Sequence, residues 1–323
     1  MKSFGIFCTV SALFIFSMFY RVSNAVIAPD LVETFHLNAE GLGVLGGAFF
    51  YSFALMQIPM GLLLDRVGPR YIMTVFGLVG ACGALVFAMA NTFFFAMAGR
   101  VLMGMGMASV LMGSFKVFVL KFPSSRFSTL SGALISIGTL GSMLATSPLA
   151  WLSQNIGWRL TFVIAGCTTI MCAFLIFWAL RNKDIQQGAS GNPVNENDKK
   201  IPIKNILRLV VGSLSFWQIS IFAFFRYGTF VALQGLWLGT YLMDVKGFSP
   251  VHAGNILMML SIGYIAGAPI AGYLADKVIR SAKITAFCSV TFYTISLLPL
   301  TGIVDIKNPV IFGSLFFLIG FFN

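Results

Sequence analysis

Apolar runs of helix length follow one another down this chain with only short polar turns between them. A run of about 20 apolar residues crosses the hydrocarbon of a bilayer as one helix. Lipid offers no partner to a free backbone N–H or C=O, so a helix is the form each run must take. Nine complete runs can be read: Phe4 or Ser11 to Ala28, Gly41–Leu64, Tyr71–Ala90, Phe93–Leu120, Ser128–Leu152, Leu160–Leu180, Gly212–Met243, His252–Ala275 and Ile284–Val304. A tenth starts near Pro309 and is still running at Asn323. Pro29-Asp30 closes the first span, and Asn91-Thr92 turns the chain between the third and fourth. The expected fold class is all-α, a polytopic membrane protein.

Composition agrees. The 323 residues are 58% hydrophobic and only 10% charged, more apolar surface than a soluble core can hide. A formal charge of +11 would suggest nucleic acid for a soluble protein. Here fourteen of the 21 Lys and Arg lie in loops on the Lys2 side and three on the other, so nucleic acid is not the expected partner. That asymmetry places the amino terminus in the cytoplasm. The first span is too long for a signal-peptide core and is expected to be retained. Cys8, Cys82, Cys167, Cys172 and Cys288 all lie in spans without ligand spacing, which reads as packing rather than disulfides or metal. No nucleotide-binding loop, metal cluster or nucleophilic constellation is visible, so neither an enzyme nor a cofactor is expected.

The spans fall into two sets. Residues 1–182 hold six, 183–207 form a polar cytoplasmic linker, and 208–323 hold the rest. The linker is too polar to build a core. A basic hairpin, Gly61-Leu-Leu-Leu-Asp65-Arg66-Val-Gly68-Pro-Arg70, joins spans 2 and 3. A diluted copy, Gly272-Tyr-Leu-Ala-Asp276-Lys277-Val-Ile-Arg280, joins spans 8 and 9, at an offset of 211 residues. Span 4 carries Arg100-Val-Leu-Met-Gly104-Met-Gly106-Met-Ala108, and span 5 carries Gly138, Gly141 and Pro148.

These motifs, at these places, resemble those of the major facilitator superfamily. The resemblance covers essentially the whole chain and implies its fold. It also implies a substrate at the midplane between two halves, and gating by Gly61, Asp65, Arg66, Gly68, Arg70, Gly272, Asp276 and Lys277. In that family the hairpin aspartate braces the start of a helix in the opposite half. Asp276 is then expected near Ser128, and Asp65 is expected to be unpaired with the second half, or met locally by Arg66 or Arg70. The family has twelve helices, so roughly two and a half are expected to be missing, as in a fragment or a truncated gene.

The chemistry sits in four cations inside spans: Arg21, Arg100, Lys116 and Arg226. None of the ten carboxylates falls near a membrane centre. A cation at that depth costs about 3 kcal/mol or more, so it faces a cavity and a partner. The substrate is the natural source of the negative charge. Arg21 and Arg226 hold equivalent places in the first span of each set, and two guanidinium forks suit a carboxylate or phosphate. Arg21 stands eight residues before Pro29, which resembles organophosphate–phosphate exchangers and, more loosely, organic anion–cation symporters. Asn24, one turn on, joins the site, as do Gln234 and Trp237 after Arg226. Arg100 and Lys116, about 160° apart around a straight helix, do not face one cavity. Arg100, with its motif behind it, is counted among the substrate-binding residues, whereas Lys116 is expected to snorkel toward the cytoplasm.

The expected function is secondary active transport of a small organic or phosphorylated anion by alternating access. The protein would work as a monomer in lipid of a bacterial inner membrane, with protons or a counter-anion as co-substrate. A proton-coupled amino acid or peptide symporter is the alternative within transporters. A transporter-like sensor or an inactive fragment is the alternative outside them.

Overall fold

The computed structural model describes residues 3–181, 209–232, 238, 241–248, 250–301 and 308–323. Twelve α-helices carry the described chain. They are α1 (Ser3–Val26), α2 (Ala28–Phe35), α3 (Ala39–Arg66), α4 (Pro69–Ala88), α5 (Phe93–Lys121), α6 (Phe127–Leu144), α7 (Ser147–Ile156), α8 (Trp158–Ala179), α9 (Leu214–Ala232), α10 (Pro250–Tyr273), α11 (Ala282–Leu297) and α12 (Pro309–Phe322). Among the described residues, 8 helical stretches are long and apolar enough to cross a membrane. The α-helix described in the seventh expected span is α9, whose Gln218 and Arg226 dilute its apolar character, and α12 is a shorter apolar helix.

Proline explains two departures from the expected boundaries. Pro29 does not end the first span in a loop. It sits in the first turn of the short helix α2, where its missing N–H leaves nothing unpaired. Span 5 breaks after Leu144, and Pro148 restarts it in the first turn of α7. The first hairpin is as tight as its sequence implies: α3 ends at Arg66 and α4 begins at Pro69. Gly68 between them is at φ 90, a conformation that favours glycine.

The chain divides into two compact units: Met1–Phe127 with Ile137–Pro193, and Ser128–Ser136 with Val194–Asn323. In the first unit, α4 packs on α5 and α8, and α3 packs on α5. The α4–α5 approach is closed by Gly80 and Gly106, since a Cβ on Gly106 would overlap the Gly80 backbone. Tyr20, Phe87, Trp158 and Phe162 form an aromatic cluster at the buried face of α1 and α8. In the second unit, α10 and α12 lie backbone to backbone. Leu260, Phe312, Phe316 and Ile319 pack there with Phe230 and Tyr293.

The cysteines are all free, but Cys8, Cys82 and Cys167 are exposed. They lie on outward faces of their helices instead of in the packing expected of them.

Candidate functional site

The site in the first unit is assembled on α1, α3 and α5. Gly104 lets α5 sit directly on α3, because a Cβ there would overlap the carbonyl of Phe49 and the hydroxyl of Ser52. This contact brings Arg100, one turn earlier on α5, onto the ring of Phe49, with its guanidinium carbon 5.1 Å from the ring centre. Phe49 stacks on Phe53, one turn along α3, at 6.1 Å with planes 13° apart. Arg21 of α1 in turn lies over Phe53 at 4.7 Å. Two guanidiniums therefore rest on successive rings of one helix, an arrangement that ring quadrupoles favour. The i, i+4 spacing of Phe49 and Phe53 was visible in the sequence, but nothing there said that both arginines would reach it.

Their surroundings differ. Arg21 is half-buried, and its Nε has no hydrogen-bond partner. Asn24 is buried, its Oδ1 is also unpartnered, and its amide nitrogen occupies the space left by Gly46. Arg100 is fully buried and donates through Nη1 to the carbonyl of Tyr20 at 2.9 Å. The side chain expected to touch substrate therefore faces main chain and an aromatic ring, because the α3–α5 contact closes over it. Tyr20 is hydrogen-bonded through its hydroxyl to Thr169 at 2.8 Å.

In the second unit, Arg226 is half-buried and lines a cavity of about 250 Å³ with Phe222, Tyr264, Thr285 and Ser289. Gln234 and Trp237 lie outside the described residues. Among the described residues, neither Arg21, Arg100 nor Arg226 makes an ion pair.

Lys116 is different. Its Nζ is 2.8 Å from Oδ1 of Asp65, both partly exposed at one end of the first unit. The expectation for Asp65 is corrected in its partner: the charge is met within the first unit, but by Lys116 instead of Arg66 or Arg70. Arg66 is exposed. Arg70 turns away to donate from Nε to the carbonyl of Phe177 at 3.0 Å, with its guanidinium over the Phe177 ring.

The second hairpin is built otherwise. Leu274–Val278 forms a single π-type turn. Asp276 there accepts from the backbone N–H and the hydroxyl of Thr129, each at 2.8 Å. This is the expected contact at the start of α6, and the N-terminal dipole of that helix favours it. Gly272 packs against the carbonyl of Ser128, whereas a Cβ on Gly61 would meet nothing within 4 Å. Lys277 is exposed beside Asp276 in the turn.

Known proteins fit this architecture. Residues 9–323 match the family model described as Major Facilitator Superfamily. The chain is 26% identical over 282 residues to an "Uncharacterized transporter YybO" of Bacillus subtilis, covering 84% of this chain and 64% of that protein. It is 22% identical over 316 residues to a "Probable sulfoacetate transporter SauU" of Cupriavidus necator, covering 92% and 72%. The chain thus spans about two thirds of the length of these relatives. A solved structure of the proton:xylose symporter XylE, bound to 6-bromo-6-deoxy-D-glucose, superposes with a TM-score of 0.72 at 14% identity. That match covers 99% of this chain and 79% of the other.

Proposed function

Because this chain belongs to the Major Facilitator Superfamily, we propose that it serves in secondary active transport of a small organic or phosphorylated anion by alternating access. The observation that carries the reading is Arg21: a half-buried guanidinium within a membrane span, with Nε unpartnered and no ion pair among the described residues. A cation held there without a resident anion is stabilised by one that arrives. The planar fork accepts carboxylate, sulfonate or phosphate oxygens in pairs. Arg226, in the cavity of the second unit, is the second ligand in this reading, and Asn24 adds a polar contact. The sulfoacetate named for one relative is of this chemical class. A zwitterionic amino acid would also want a carboxylate for its ammonium, and no described Asp or Glu lies mid-span.

In this reading Asp65 and Asp276 hold the cytoplasmic gate, the amino terminus faces the cytoplasm, and the protein works as a monomer in a bacterial inner membrane. The test is a thermal-shift panel on purified protein in detergent with sulfoacetate, glucose 6-phosphate, nitrate and glycine. Stabilisation by one or more of the anions and none by glycine is expected. Stabilisation by glycine alone, or by nothing in the panel, would overturn the reading.

A further inference from the structure

The first unit holds a second guanidinium that no solute reaches. Arg100 is 0% exposed, yet its Nε and Nη2 have no partner. A buried cation so poorly satisfied is costly, and a Leu or Met would fill the same space at less cost. What an apolar residue cannot supply is a donor to Tyr20 and a cation on Phe49. Both features lead to Arg21. The carbonyl of Tyr20, the residue just before it, accepts from Arg100 at 2.9 Å and from Ser23 Oγ at 3.2 Å. The Tyr20 hydroxyl is hydrogen-bonded to Thr169 of α8. The turn of α1 that carries Arg21 is thus held from α5 and from α8. The second route is the pair of stacked rings, with Arg100 on Phe49 and Arg21 on Phe53.

We propose that Arg100 is a positioning residue for Arg21: by fixing the Tyr20 turn and the Phe49–Phe53 rings it holds the Arg21 guanidinium in one presentation. This rests on reading Arg21 as the anion ligand, but the two claims separate in the test. The probe is phenylglyoxal, which modifies accessible guanidiniums, with the rate at Arg21 read by peptide mass spectrometry on the whole protein in detergent. Arg100→Met should raise the rate at Arg21 at least fivefold, and Arg100→Lys should return it to within about twofold of the parent. Arg159, tied to the carbonyls of Ala88 and Ala90 at 2.9 and 2.6 Å, reports whether the unit is still folded and should not change. Phe49→Leu keeps an apolar side chain but removes the ring, and should also raise the Arg21 rate.

An unchanged Arg21 rate in folded Arg100→Met overturns the proposal. If Arg100→Met does not fold, an unchanged rate in Phe49→Leu does so. Protection of Arg21 by sulfoacetate or inorganic phosphate is scored separately in the parent. Its absence removes the ligand reading while leaving the positioning result to stand or fall on the rates.

Discussion

At the scale of single residues, the proposed function turns on the charges inside the spans. Arg21→Lys and Arg226→Lys keep the charge and lose the fork, so each should weaken anion binding at least tenfold, or about 1.4 kcal/mol. Titration of each variant with the anion that stabilises the parent checks this, and near-parental affinity in either would remove that residue from the site. Lys116 belongs to a different class. It is paired with Asp65 in a partly exposed bridge, worth less than about 1 kcal/mol. Lys116→Met should leave anion affinity unchanged and lower thermal stability only slightly, as the melting temperature of the variant would show. Sequence could pick out these cations as anomalies of depth, but not sort them. Arg100 and Arg21 look alike as letters in apolar runs. Only the approach of α5 to α3 at Gly104 buries the one and leaves the other half open.

At the scale of elements, helix starts and close approaches do the holding. Asp276 satisfies the N–H and hydroxyl of Thr129 at the start of α6, where the first turn has donors with no intrahelical partner. Loss of such a capping carboxylate costs about 1 kcal/mol, less where solvent substitutes. Asp276→Ala should therefore speed hydrogen exchange of the first-turn amides of α6 several-fold while leaving α8 unchanged, and equal exchange in both would contradict the contact's role. Gly141 is the stricter test. A Cβ there would overlap the backbone of Ile15, which no side-chain movement relieves. Gly141→Val should lower stability by about 1–3 kcal/mol, the usual cost of overpacking, read as a lower melting temperature with little change in the affinity of whatever protein still folds.

At the scale of the whole molecule, the question is what drives the cycle. With Arg21 and Arg226 as ligands, an empty cavity would be positive and resist reorientation, and a bound anion would offset that charge. On that ground we expect exchange of one anion for another. Liposomes empty of anion should take up almost no labelled substrate until internal substrate is supplied; strong accumulation driven by a proton gradient alone would rule exchange out. The sequence by itself determined the class, because lipid leaves a long apolar run no form but a helix. It also determined the family, because glycine, proline and charge recur at fixed helix ends. The resemblance carried by the repeated hairpin implied the Asp276 contact, and depth together with equivalent places in the two sets marked Arg21 and Arg226. Tertiary structure alone decided that Asp65 meets Lys116, that Arg70 turns to Phe177, and that Arg100 lies closed beneath α3. Those outcomes depend on which helices approach within a backbone's width, a matter of packing between residues 51 to 107 positions apart, which no local spacing encodes.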